Sequence, residues 1–343
     1  MASIPRLQEG DLEREHVAVP HSLKSIFAPF KQDLAEFDLA FRNIMRSDVW
    51  VVDQMAQYLV KHKGKQFRPA LVLVAARAAG EVTPKTYSTA AVAELLHTAT
   101  LIHDDVLDDS EMRRGIATLH KVWKNKLAIL MGDYLLSKSL IAATETGSLE
   151  IMNTVATVAK RLIKGAMLEV QKSHKPDLDE ADYFRIVADK TASLMSACTE
   201  LGALTVNASP ERREAMRDFG ENLGIAFQIK DDLLDYEGSS GILGKPAMAD
   251  IQDKKVTLPL LYALQDSDEK ERKHILKIIR KGASRKEVAE ILDFVKRRNG
   301  IEKAREKARE IKNKAIKALS VLPDSDARDS LIQLAEFVVN RNK

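Results

Sequence analysis

The stretch ELLHTATLIHDDVLDDSEMRRG, Glu94–Gly115, decides how the rest of the chain reads. Val92, Leu95, Leu96, Ala99 and Ile102 form an apolar stripe at spacings of three and four, the period of a helix buried on one face. Five acidic side chains then crowd the eight positions Asp104–Glu111, and Arg113 and Arg114 follow. Like charges this close repel, so a helix that ends in them needs a counter-charge. Positions i and i+4 share a helix face. Asp104 and Asp108 therefore point the same way, with Asp105 beside them and His97 and Leu101 on nearly the same stripe.

A second stretch repeats the pattern. In FQIKDDLLDYEG, Phe227–Gly238, residues Gln228, Asp231, Asp232 and Asp235 fall at i, i+3, i+4 and i+7. One such cluster in a chain with 50 acidic residues is ordinarily a solvated face. Two copies, each closing a strongly apolar helix, point instead to a hard divalent cation. The spaced acids and glycine of a calcium-binding EF-hand loop are missing. Mg²⁺ takes one or two carboxylates and completes its shell with phosphate oxygens.

Composition limits the rest. The 343 residues are 45% hydrophobic but only 5% aromatic, with 15 glycines, which predicts a helical chain able to bury a core. A net charge of +3, from 53 basic and 50 acidic residues, gives no general field for a nucleic acid. The single cysteine, Cys198, excludes an intrachain disulfide and a zinc-finger type site, and reads as a small core residue. The first residues carry no apolar signal core, and no uncharged run reads as a membrane span. A cytoplasmic location is expected.

Helical periodicity recurs over residues 127–143, 151–170, 183–206 and 216–236, with breaks at prolines 69, 84, 176, 210, 246, 259 and 323. The charged run IEKAREKAREIKNKAIKAL is predicted to be a solvated amphipathic helix, and no alternating strand pattern stands out. The expected architecture is all-α, a single large bundle of roughly a dozen helices over residues 21–343, after a mobile segment over residues 1–20.

Basic residues stand where anionic oxygens would need them: Lys65 and Arg68 in GKQFRP, Lys190 and Thr191 in DKTAS, and Lys245, Lys254 and Lys255 in LGKPAMADIQDKKVTLP. Neither Gly-Lys turn has Walker spacing. Taken in order, GKQFRP, ELLHTATLIHDDVLDDSEMRRG, KTASL, FQIKDDLLDY and DKKVTLPL resemble the motifs of the all-trans polyprenyl diphosphate synthases, over nearly the whole chain from about Leu23 to Arg341.

That resemblance implies the isoprenoid synthase fold with a central substrate cavity. It implies two substrates, isopentenyl diphosphate and an allylic diphosphate, and about three Mg²⁺ ions. Asp104 and Asp108 would bind metal with Asp105 in support, and Asp231 and Asp235 with Asp232 in support. Arg113, Lys190, Lys245 and Lys255 would grip the allylic diphosphate. Lys65, Arg68, His97 and Arg114 would grip isopentenyl diphosphate, and Thr191 and Gln228 would sit beside the nascent carbocation. The resemblance also implies a homodimer with at most transient membrane contact. Two departures are visible: Lys63 stands before Gly64 where the family usually has a second glycine, and Ala166 follows Gly165 where an acid is common. Glu169 and Gln171 lie near enough to compensate.

Product length turns on the wall one turn before Asp104. Ala99 and Thr100 are small there, where short-chain relatives commonly carry aromatics. Leu96, Leu136 and Leu140 are the candidate floor, and a chain of about C30 or longer is expected. The basic end NRNK is expected to fray, with closure over the site by Arg341 as the alternative. A terpene cyclase would need neither the second acidic motif nor the Lys65, Arg68, His97 and Arg114 set. A non-catalytic synthase subunit would have lost an acidic motif. A plain helical interaction module would explain neither motif.

Overall fold

The computed structural model describes residues 22–113, 115–173, 179–238, 249–252 and 255–341. The expected mobile segment, Arg114, Lys245, Lys254 and the breaks at prolines 176 and 246 lie outside the described residues.

Sixteen α-helices account for most of what is described. They are α1 (Leu23–Ile26), α2 (Lys31–Met45), α3 (Trp50–Lys61), α4 (Phe67–Ala79), α5 (Pro84–Leu107), α6 (Leu119–Glu145), α7 (Leu149–Ser173), α8 (Glu180–Val187), α9 (Ser193–Thr205), α10 (Pro210–Tyr236), α11 (Ala249–Gln252), α12 (Leu258–Gln265), α13 (Glu269–Lys281), α14 (Arg285–Arg297), α15 (Gly300–Ala318) and α16 (Asp326–Asn340). Met112–Arg113 and Ile116–Ala117 form a two-residue antiparallel ladder across a turn in which Gly115 has φ +78°. A ladder that short has no alternation for a sequence pattern to register.

The prolines act as helix starts. Pro84 and Pro210 open α5 and α10, where the missing N–H costs nothing. Thr83 and Thr86 complete a reciprocal capping box on α5. α4 is buried on nearly every side, from Pro69 to Ala76, as a helix that is apolar all round must be. It packs against α2, α5, α9 and α16, and α9 in turn packs against both α5 and α10. The two helices that end in acids therefore stand on a shared support. α15 buries Ala304, Ala308, Ile311 and Ala315 against its neighbours, so the charged run is amphipathic as its spacing predicts.

Two departures from expectation matter. The run over residues 183–206 is interrupted by a π-helical turn, Ala188–Ala192, which carries Lys190 and Thr191. Such turns insert one residue into a helix and gather at functional sites. In addition, α6 is long and apolar enough, by length and composition, to cross a membrane, although no such run was expected. Its apolar content has a packing reason: Ala128, Met131, Leu135 and Ala142 are buried in the core, and α6 lies along α5.

The α4–α9 crossing is set by a glycine. A Cβ on Gly202 would meet Ala75 Cβ at 2.9 Å and overlap the Val72 carbonyl oxygen. Gly202→Ala should therefore lower stability by about 1–3 kcal/mol, read as a fall in the urea midpoint with helical circular dichroism retained. An unchanged midpoint would show that the two helices slide apart without cost.

Candidate active site

Both acidic motifs sit at helix C-termini. Asp104 and Asp105 lie in the last turn of α5, and Asp108 is its C-cap. Asp231, Asp232 and Asp235 lie in the last two turns of α10. Neither helix has a basic residue in its last turn. The C-terminal end of a helix carries partial negative charge, so these carboxylates stand where anions are least favoured.

Within each motif the acids divide into two kinds. Asp105 is buried and holds Arg113, which reaches its Oδ1 from Nε at 2.8 Å and from Nη2 at 2.7 Å. Asp232 is buried and accepts from the Tyr183 hydroxyl at 2.6 Å and from Gln228 Nε2 at 2.9 Å. Asp104, Asp108, Asp231 and Asp235 are the more exposed members. The structure thus uses Asp105 and Asp232 to fix other side chains. Arg113, expected on a diphosphate, is here bonded to its own motif.

The π-helical turn links the motifs. Burial raises the Asp104 carboxyl above its ordinary range, and the Lys190 ammonium is the charge that most opposes this; Asp108 and Glu169 add to the rise. Lys190 itself is bonded to Glu169. Thr191 Oγ1 donates to Gln228 Oε1 at 3.0 Å, and Gln228 in turn donates to Asp232. A hydrogen-bonded path thus runs from Thr191 through Gln228 to the second acidic motif, and the neighbouring Lys190 places its charge where it acts on Asp104 of the first.

At the second motif Asp250, on α11, donates its backbone N–H to Asp235 Oδ2 at 3.2 Å, and the Lys255 N–H donates to the Asp250 carbonyl at 2.7 Å. That brings the described part of the basic loop, with Lys255, beside Asp235. Arg341 is docked rather than frayed. Its guanidinium pairs with Asp231, lies 4.2 Å from the Phe227 ring centroid and donates to the Phe227 carbonyl at 3.4 Å. An arginine over an aromatic face gains cation–π attraction in addition to its ion pair, which explains why the end of α16 holds.

Among the basic residues upstream, Arg68 Nη1 lies 2.9 Å from His97 Nε2. Arginine only donates, so His97 Nε2 is the acceptor in this pair. Lys65 is exposed in the loop before α4. Lys63, one of the two departures, bonds Asp38 on α2 at 2.6 Å and anchors that loop. Ala99 and Leu96 are buried on α5. Thr100 returns its hydroxyl to the His97 carbonyl at 2.8 Å, and Leu136 and Leu140 pack half-buried against the core from α6.

Sequence reasoning missed Tyr183, Asp250 and Arg161. Tyr183 lies seven residues before Lys190, a helical repeat that was available as a signal. Asp250 is distant in sequence and gave none.

These residues fit Mg²⁺ bound together with a diphosphate better than a metal held by protein alone. Among the described residues, no group of three or more His, Cys, Asp or Glu side chains could hold a metal ion. A cation that keeps water and phosphate oxygens needs only one or two carboxylates from each side.

The polyprenyl synthetase family matches residues 50–295. Octaprenyl diphosphate synthase of Escherichia coli (strain K12) is 35% identical over 312 residues, 91% of this chain and 97% of that protein. A short chain isoprenyl diphosphate synthase of Methanothermobacter thermautotrophicus is 36% identical over 290 residues, 83% and 89%. The crystal structure of a polyprenyl synthase from Caulobacter crescentus CB15, complexed with calcium and isoprenyl diphosphate, superposes with a TM-score of 0.86 at 33% identity, covering 94% of this chain and 98% of that one.

Asp232 gives a pH prediction. Burial, then Asp250, pushes its carboxyl up to about 8, above the roughly 3.9 of an unfolded aspartate. Its folded form thus holds the proton more tightly, and its contribution is fully present below about pH 4 and lost as pH rises through about 8. In EDTA, Asp232→Asn and wild type should melt together near pH 4, with wild type falling below the variant as pH rises to about 8 and beyond. Parallel curves would place the Asp232 proton elsewhere.

Proposed function

The chain belongs to the polyprenyl synthetase family and is a trans-polyprenyl diphosphate synthase. On that premise we propose that it condenses isopentenyl diphosphate with an allylic diphosphate in a Mg²⁺-dependent reaction and releases a long linear chain. The observation that carries this reading is that Lys190 and Thr191 share one π-helical turn, from which Thr191 bonds through Gln228 to Asp232 of the second motif while the Lys190 charge acts on Asp104 of the first. It gives one site, with a cation-stabilising centre between two acidic ends.

Asp104 and Asp108 on one side, and Asp231 and Asp235 on the other, would hold the metal. Mg²⁺, when bound, supplies Lewis-acid stabilisation of the departing diphosphate. Lys190, Arg113, Lys255 and Lys245 would neutralise the same charge as the allylic C–O bond breaks, an electrostatic contribution to catalysis. The allylic carbocation lies against the Thr191 and Gln228 oxygens. Their partial negative charge stabilises it without a nucleophile that could trap it. Lys65, Arg68, His97 and Arg114 hold isopentenyl diphosphate so that its double bond attacks that carbon. The new C–C bond forms, one proton leaves to the released diphosphate, and the double bond is restored. Water must be excluded throughout, or it would quench the cation.

The long product is favoured by the small Ala99 and Thr100 side chains before Asp104, with Leu96, Leu136 and Leu140 as the candidate floor of a cavity between helices. The similarity to an octaprenyl synthase agrees; the comparable similarity to a short-chain enzyme makes a shorter product the second reading. A homodimer would cover the exposed Ile129, Leu130 and Ile141 on α6. The reading places one catalytic domain over residues 21–343. A cytoplasmic setting suits the lone, buried Cys198, whose thiol burial pushes up to about 12.

The decisive experiment incubates the protein with Mg²⁺, isopentenyl diphosphate and a labelled allylic starter, then resolves products by length. A ladder ending near C30 or beyond is expected. A cyclic hydrocarbon made without isopentenyl diphosphate would overturn the reading. Asp104→Asn and Asp231→Asn should each lower kcat by about a hundredfold or more with helicity unchanged. Ala99→Phe should shorten the ladder while preserving the first condensation.

A further inference from the structure

The π-helical turn Ala188–Ala192 is gripped from two sides. Arg161 and Gly165 stand one turn apart on α7, and Glu221, Gly224 and Gln228 share a face of α10; the turn packs between these helices. Both glycines make the approach possible. A Cβ on Gly165 would meet the Lys190 backbone nitrogen at 2.6 Å, and one on Gly224 would meet Ala192 Cα at 2.5 Å. The backbone on either side of Thr191 is therefore fixed by contact.

Arg161 closes the grip. Its Nε donates to Asp189 Oδ1 at 2.8 Å and its Nη2 to the Ala188 carbonyl at 3.2 Å. Nη1 and Nη2 also reach the two Glu221 oxygens, at 3.1 and 2.9 Å. The Ala188 carbonyl is the one that defines the turn, because it accepts the Ser193 N–H, five residues on, where an α-helix would use the fourth. A planar guanidinium fixes both the direction and the distance of what it holds, which an ammonium does not. None of Arg161, Ala188, Asp189 and Glu221 has a part in the proposed chemistry itself.

We propose that Arg161 is a positioning residue: by clasping the Ala188 carbonyl and the Asp189 carboxylate it holds the π-helical turn, and so keeps the Thr191 hydroxyl on Gln228 at 3.0 Å. Without the clasp the turn exchanges its π bond for the α-helical one, and the Thr191 side chain rotates away from Gln228. The inference rests on the reading of Thr191 and Gln228 as the groups beside the carbocation. Because those groups act on charge that develops only as the allylic bond breaks, the loss falls on turnover and not on substrate binding.

The test combines steady-state kinetics with hydrogen exchange on the full chain. Arg161→Gln should lower kcat about tenfold, with KM for both diphosphates within about twofold. Asp189→Asn, isosteric with the native residue, should lower kcat similarly and carries the same comparison if Arg161→Gln fails to fold. The double variant should be no slower than either single one, since both act through one clasp. Glu221→Gln removes only the contact to α10; it should lower the melting temperature but leave kcat within about twofold. Without substrate or metal, the amides of Ala188–Ser193 should exchange about tenfold faster in Arg161→Gln and not in Glu221→Gln. An unchanged kcat or unchanged exchange in Arg161→Gln, additive losses in the double variant, or a Glu221→Gln variant as slow as Arg161→Gln would each overturn the proposal. A wild type without condensing activity would overturn the reading of Thr191 and Gln228, while the exchange rates would still decide whether Arg161 holds the turn.

Discussion

Acidic side chains at the wrong end of a helix are the constraint on which the rest of the structure depends. The last turns of α5 and α10 combine mutual repulsion with the negative pole of a helix, and neither contains a basic residue to relieve it. Every counter-charge must therefore come from another element. Arg113 comes from the short ladder after α5, Lys190 from the π-helical turn, and Arg341 from the end of α16. The packing of α9 against both acidic helices sets those helices on a shared support.

The division of labour inside each motif follows from depth. Asp105 and Asp232 are the buried members, and a buried carboxylate must be hydrogen-bonded. Each is, and each thereby fixes a group that faces the site: Arg113 in one case, Gln228 in the other. The outer aspartates keep access to solvent. Two adjacent residues of one type thus acquire different physical roles from a single variable, their distance from water.

Much of this was legible in the sequence. The apolar stripe before Asp104 and the proline helix starts gave an all-helical chain, and the spacing of Asp231, Asp232 and Asp235 gave a second acidic face. These are local signals, and local periodicity survives folding. Long-range pairing was not legible. Nothing near Asp232 announces that Tyr183, 49 residues away, will donate to it. The docking of Arg341 went against expectation because fraying is the default for a basic terminus, and the aromatic face that captures it belongs to Phe227 on another helix. The π-helical turn was hidden for a different reason: it leaves the apolar pattern on either side intact and only shifts its phase.

That phase shift bears on anyone redesigning the scaffold. One residue beyond a regular α-helix advances everything downstream by about 100° around the axis. An engineer who straightened Tyr183–Thr205 into an ideal helix without deleting a residue would rotate either Tyr183 or the buried face of α9 out of place. Deleting one residue to recover the phase would preserve the packing but remove the irregular backbone that aims Lys190 and Thr191 at different partners. Thermal resilience and chemistry would then draw on the same five residues in opposite directions, and a library built to raise one should leave Ala188–Ala192 untouched.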